Sequence, residues 1–185
     1  FNGVIAAQGT RRNDQRGALL RIGRDGSVLD SIEYRAGWTL GGSRDGQRIA
    51  SGGWGLWLIE RGVITRLPAE IDTVQRPLTY PIWSPQDTAI VFGAGGSRIV
   101  VYDIRAGRSR LLLQLPVPGR GMSLTDWSSD GRFIIFEVGA GSSSQWNELW
   151  TYEITADTAY PLFAEAANVG RGRVSANGRH VAYVS

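Results

Sequence analysis

The sequence of 185 residues contains no cysteine and no lysine, and apart from a single histidine its basic side chains are 20 arginines. The lack of cysteine excludes disulfide bonds and thiol chemistry, and the lack of lysine excludes a P-loop lysine and a Schiff base. The net charge of +3 arises from arginines spread among 17 acidic residues, so it does not indicate a nucleic-acid-binding protein. No apolar run approaches the roughly 20 residues of a membrane-spanning helix.

In chain order, the first predicted elements are strands in residues 2–8 and 18–26, the second of which ends in an Asp-Gly turn. A second turn follows at residues 43–46, which read Ser-Arg-Asp-Gly. An Asp-Gly pair between apolar segments predicts a β-hairpin, because glycine adopts a positive φ at little cost. Two more strands, at residues 56–60 and 63–67, are predicted after this hairpin.

The same order of strands and turns recurs along the chain. Residues 83–94 read WSPQDTAIVFGA, residues 127–138 read WSSDGRFIIFEV, and a shorter copy covers residues 175–184. Each copy has a serine at the start of its turn, at Ser43, Ser84, Ser128 and Ser175. A repeat of about 40–50 residues with four short strands is typical of a β-propeller, in which each repeat forms one blade.

We therefore predict an all-β chain with a single β-propeller domain, residues 1–185, built from four-stranded antiparallel blades. Complete blades are expected at residues 34–68, 79–115 and 122–164, and partial blades at residues 3–33 and 169–185. Because propellers usually have about four to eight blades, we expect the chain to be an incomplete fragment of a longer protein.

Two turn conformations follow from the repeat. Gly131 is expected to have a positive φ, or to occupy a bulge that excludes a β-branched residue, since it follows Asp130 at the tip of a tight turn. Residues 84–87 read Ser-Pro-Gln-Asp and have no glycine at the equivalent position, so a different type of turn is predicted there.

The repeat resembles that of the TolB-like, WD-repeat-like bacterial β-propellers. The resemblance is carried by Trp83–Phe92, Trp127–Phe136 and Gly178–Tyr183, and it extends over almost the whole chain. The segment Leu124–Phe133 is most similar to the subgroup found in kinase-linked bacterial signalling proteins. The resemblance implies partner binding without catalysis and favours a periplasmic or extracytoplasmic location.

The innermost strand of each blade is expected to line the central channel. Arg171, Arg173, Tyr80 and Asp126 lie on or beside these strands, and an arginine two residues before the serine, as at Arg173, is frequent in the family that the chain resembles. We interpret these four residues as candidates for binding an anionic peptide end. Trp146 follows a serine-rich segment and is the fifth candidate, as an exposed anchor.

The other tryptophans that recur in register are expected to pack between blades: Trp57, Trp83, Trp127 and Trp150. His180 is the only histidine, and no His or Cys cluster accompanies it, so neither a metal site nor a cofactor is predicted.

We interpret the chain as a non-catalytic recognition module for a protein or peptide, and as the sensor or interaction part of a larger bacterial signalling protein. Two alternatives remain. The first is the substrate-gating propeller of a prolyl-oligopeptidase-like hydrolase, whose catalytic domain would lie outside this sequence. The second is a propeller hydrolase or lactonase with a metal on the axis.

Overall fold

The described part of the chain consists of β-strands joined by turns, and it contains no helix. The computed structural model describes residues 5–10, 17–23, 25–34, 37–69, 77–115, 121–139, 147–163 and 168–185. The strands form five antiparallel sheets, three of which have four strands. The all-β prediction and the four-stranded blades are therefore confirmed.

Each sheet is one blade, numbered here in chain order. Blade 1 contains β1 (Ile5–Thr10), β2 (Gly17–Ile22) and β3 (Val28–Tyr34). Blade 2 contains β4 (Gly37–Gly42), β5 (Arg48–Gly53), β6 (Gly55–Glu60) and β7 (Val63–Leu67). Blade 3 contains β8 (Thr79–Trp83), β9 (Ala89–Ala94), β10 (Arg98–Asp103) and β11 (Arg108–Gln114). Blade 4 contains β12 (Gly121–Trp127), β13 (Phe133–Gly139), β14 (Asn147–Glu153) and β15 (Thr158–Pro161). Blade 5 contains β16 (Gly170–Val174) and β17 (Val181–Val184).

The strands of each complete blade pair in their order along the chain. Across the blades, the first strands β4, β8, β12 and β16 are successive neighbours. The blades are therefore stacked side by side, with these first strands innermost, as a propeller requires.

The turn between the first two strands of a blade is built around its serine. In blade 2, the Ser43 hydroxyl donates to Asp45 Oδ1 at 2.6 Å and accepts a bond from the Arg48 N–H at 2.9 Å. Ser128 makes the same two bonds, to Asp130 and Phe133. The bond from the serine hydroxyl holds the pKa of Asp45 and of Asp130 below its usual value. A serine followed by an acid two residues later thus fixes the turn from within.

The turn of blade 3 has the same hydrogen bond as the others, although it has no glycine. The Asp87 N–H donates to the Ser84 carbonyl at 3.0 Å, and the Gly131 N–H donates to the Ser128 carbonyl at 2.9 Å. Asp87 has a φ of 55°, and Gly131 has a φ of 78°. The prediction of a different turn type is therefore wrong, because aspartate is one of the few residues with a side chain that adopt the left-handed conformation readily.

The positive φ predicted for Gly131 is confirmed, and it gives a test of the turn. Gly131→Val should lower the free energy of unfolding by about 1–3 kcal/mol, the usual cost of a strained backbone. A β-carbon added at Gly131 would lie 3.9 Å from its nearest neighbour, so the cost would arise from the backbone and not from a clash. Gly131→Asn is the matched control and should be tolerated better, as Asp87 is in blade 3. Urea unfolding of both variants measures these changes. If Gly131→Val lowers the free energy of unfolding by no more than Gly131→Asn does, the turn assignment is contradicted.

The core consists of apolar clusters between neighbouring blades. Trp83 is 4% exposed and belongs to the cluster between blades 2 and 3. Trp127 and Trp150 are half-buried and pack against the cluster between blades 3 and 4. Trp57 is outside both clusters, and the Arg66 guanidinium of its own blade lies 5.9 Å from its ring. Interblade packing is thus confirmed for three of the four recurring tryptophans, and for Trp57 it is not seen.

Candidate functional site

The innermost strands line a cavity of about 380 Å³. Tyr80 on β8, Asp126 on β12 and Arg173 on β16 line it, and they are three of the five residues that the sequence predicts for ligand binding. Three successive blades therefore each contribute one polar or amphipathic side chain to the same cavity. Arg44, from the turn after β4, lines it as well.

Tyr80 and Arg171 occupy equivalent positions in their strands, four residues before the serine of the turn. Both strands are irregular at this point, and the two residues have φ values of 51° and 56°. Such a backbone costs about 1–3 kcal/mol for a residue other than glycine and is kept only where surrounding contacts enforce it. The contacts come from the preceding blade: the Tyr80 N–H donates to Thr39 Oγ1 at 3.1 Å, and the Arg171 N–H donates to the Glu137 carboxylate.

Asp126 connects blade 4 to blade 5. One of its oxygens accepts a bond from the Val174 N–H at 2.7 Å, and the other lies 3.7 Å from Arg173 Nη1. The Arg173 side chain is 67% exposed, so most of its donors face solvent. Arg173 is thus positioned by an acid at the edge of the cavity and can still bind an anion, because an arginine has five N–H donors.

Two predicted ligand residues are not part of this cavity. Arg171 is exposed but is not among the lining residues, although it is equivalent to Tyr80. Trp146 lies outside the described residues. The structure brings together Tyr80, Asp126 and Arg173 only.

Two further residues that could contact a ligand were not predicted from the sequence. Arg44 follows the serine of its turn, where the other blades have Pro85, Ser129 and Ala176, and this difference in charge could have singled it out. Trp54 is 57% exposed at the tip of the turn between β5 and β6. The glycines on both sides of Trp54 indicate a tight turn, and a large side chain at the tip of such a turn could have been predicted to be exposed.

No group of three or more His, Asp or Glu side chains in the described ranges is placed to hold a metal ion. Within those same ranges, no helix is long and apolar enough to cross a membrane.

No protein-family model matches the sequence, and no curated protein matches it either. The structure is similar to TolB from Acinetobacter baumannii, with a TM-score of 0.68 and 18% sequence identity over 94% of this chain and 44% of that one. It is also similar to a TolB candidate from Agrobacterium tumefaciens, with a TM-score of 0.55 and 15% identity over 86% of this chain and 65% of that one. The chain thus spans less than half the length of the first protein and less than two thirds of the second. Its blades, their strand order and these two likenesses together show that the chain has the fold of a TolB-like β-propeller.

Proposed function

We propose that this chain is a non-catalytic recognition module that binds a protein or peptide at the channel lined by its innermost strands. The observation that carries the proposal is the convergence of Tyr80, Asp126 and Arg173 on one cavity. Arg173 and Arg44 supply positive charge at its edge, and Tyr80, which is 46% exposed, supplies an aromatic surface. Arginine and tyrosine are both enriched among residues that dominate binding energy in protein interfaces.

The chemistry of the cavity favours an acidic segment or a free carboxyl terminus as the bound group. A carboxylate can accept two parallel hydrogen bonds from a guanidinium, which gives geometric selectivity as well as energy. Asp126 already contacts the Val174 N–H and Arg173, so its role is to orient the Arg173 guanidinium. The remaining N–H donors of Arg173 are then free to bind the ligand carboxylate. The volume of about 380 Å³ is within the usual range of ligand pockets.

The wider role that we propose is that of the sensor or interaction part of a larger bacterial signalling protein. Support for this role comes from the segment Leu124–Phe133, which resembles the kinase-linked propellers. In the structure this segment comprises most of β12 and the turn that follows it, and it contributes Asp126 to the cavity.

Selection of displayed peptides with free carboxyl termini against the 185-residue chain tests the proposal. We expect the selected peptides to carry acidic residues or to need the terminal carboxylate. Arg173→Ala should weaken their binding by about tenfold or more, because a hydrogen bond to a charged group contributes about 1.5–3 kcal/mol.

Arg179→Ala is the matched control. Arg179 is an exposed arginine on the next turn and does not line the cavity. Equal binding of the selected peptides by the Arg173 and Arg179 variants would refute recognition at the channel.

A further inference from the structure

A second cavity, separate from the channel, lies between blades 1 and 2. Its volume is about 130 Å³. Leu19 and Ile59 line it and are 4% and 3% exposed, and Ile32 and Ile49, which pack against them and also line it, are half-buried. Because all four residues are aliphatic, the interior of this cavity suits an apolar group.

The equivalent spaces in the next two interfaces are filled by an isoleucine. In blade 3, Ile104 follows Asp103 at the end of the third strand and packs against the cluster shared with blade 2. In blade 4, Ile154 follows Glu153 in the same way and packs against the cluster shared with blade 3. The repeat itself therefore indicates which side chain suits this position.

Blade 2 has an arginine where the other blades have this isoleucine. Glu60 lies opposite Arg48, just as Asp103 lies opposite Ala89 in blade 3, so the residue equivalent to Ile104 is Arg61. The turn that begins with Arg61 has two residues, whereas four residues separate the corresponding strands in blades 3 and 4. Without the longer turn and its isoleucine, the space between blades 1 and 2 stays open.

Arg61 also has an unfavourable backbone conformation. Its φ is 49°, and in the corresponding turns the left-handed positions are held by Gly107 and Asp157. Glycine, aspartate and asparagine are the usual residues at such positions. A residue that breaks a local rule in this way suggests a functional constraint, since the strain must be compensated elsewhere.

Two arginines, Arg21 and Arg61, are the charged residues that line this cavity. Arg61 is exposed, and it makes no hydrogen bond or ion pair with any side chain that the structure describes. Arg21 on β2 also lines the cavity and is exposed. Arg61 is therefore available to an external anion.

We propose that this interblade cavity binds a partner peptide by taking up one branched aliphatic side chain, while a neighbouring Asp or Glu of that peptide pairs with Arg61. The aliphatic requirement follows from the isoleucines that fill the equivalent spaces, and the acidic requirement follows from the arginines that line the cavity. The volume matches a single side chain, since a cavity of about 150 Å³ accommodates benzene. This site does not depend on recognition at the channel.

The test uses the isotope-labelled 185-residue chain and the capped peptide acetyl-Gly-Glu-Ile-Asp-Gly-amide. We expect saturable changes in the backbone amide resonances of Gly46 and Gly62, which line the cavity. The same peptide with glycine in place of isoleucine should bind at least about tenfold more weakly, since burial of such a side chain contributes roughly 1.5–3 kcal/mol. No saturable change at these two glycines, or equal binding of both peptides, would overturn the proposal.

Variants of the chain provide the second half of the test. Arg61→Glu should weaken binding by about tenfold or more, because it places like charges together. Arg105→Glu, which reverses an exposed arginine on the corresponding turn of blade 3, should leave binding unchanged. Replacing Arg61-Gly62 by Ile-Arg-Ala-Gly, the turn of blade 3, should fill the cavity, abolish binding and leave the melting temperature equal or higher. Binding that survives Arg61→Glu, or that survives in a folded chain with the replaced turn, would contradict the proposed site.

Discussion

Trp83→Ala should lower the free energy of unfolding by about 3–5 kcal/mol, the usual cost of removing a buried tryptophan. The ring is 4% exposed between blades 2 and 3, and the Arg48 guanidinium lies 4.6 Å from its centre. Its Nε1 donates to the Gly41 carbonyl of the neighbouring blade at 2.9 Å. The substitution would therefore leave a cavity and an unpaired carbonyl at the same interface. Urea unfolding followed by circular dichroism measures the loss.

Trp127→Ala is the matched control for this prediction, because Trp127 occupies the same position in blade 4. Its ring is only half-buried, and its Nε1 donates at 3.2 Å to Gly131 in its own turn instead of to a neighbouring blade. We expect a loss of about 1–3 kcal/mol for this variant, since less apolar surface is removed from the core. Equal losses for the two variants would show that the interblade contact of Trp83 contributes little.

Gly41→Ala should be among the most damaging single substitutions in the chain. A β-carbon at this position would overlap the carbonyl oxygen of Pro81 on the neighbouring strand β8. Because the clashing atom belongs to the backbone, it cannot move away by a side-chain rotation, and blades 2 and 3 would have to move apart. Overpacking usually costs about 1–3 kcal/mol, and a backbone clash belongs at or above the upper end of that range.

Gly42→Ala is the control for the clash at Gly41. The adjacent glycine is exposed, and no atom lies within 4 Å of the place its β-carbon would occupy. A surface substitution of this kind usually changes stability by about 0.5 kcal/mol or less. The difference between the two variants is measured by thermal and urea unfolding. A Gly41 variant as stable as the Gly42 variant would mean that β4 and β8 are not in close contact.

The repeat is what made the fold predictable. A serine-led turn followed by strand-forming residues appears four times, and its hydrogen bonds lie within one turn, as for Ser128 with Asp130 and Phe133. Local chemistry of this kind can be deduced from a short stretch of sequence. The same register identifies the innermost strands, and the positions of Tyr80, Asp126 and Arg173 on these strands can therefore be predicted from the sequence.

The features that sequence reasoning missed depend on contacts between blades. Asp87 adopts the glycine conformation in its turn, and its carboxylate accepts bonds from the N–H groups of Arg44 and Asp45, which are more than 40 positions away. No local pattern reports such a contact. Arg61 was overlooked for a related reason: its importance appears only when its turn is compared with the turns that place Ile104 and Ile154 in the core.

The distances along the chain between blade partners also bear on how the molecule assembles. The polar contacts between neighbouring blades join residues from 34 to 48 positions apart. The entropy of closing a loop rises only slowly with its length, so each such contact costs about the same to form. Repeat proteins with contacts limited to nearest neighbours behave like a one-dimensional array, in which order can start at one interface and propagate. In the described part of the chain, blade 3 shares a cluster of ten buried residues with blade 2 and another of ten with blade 4, so blade 3 is the natural starting point from which the other blades are added in turn.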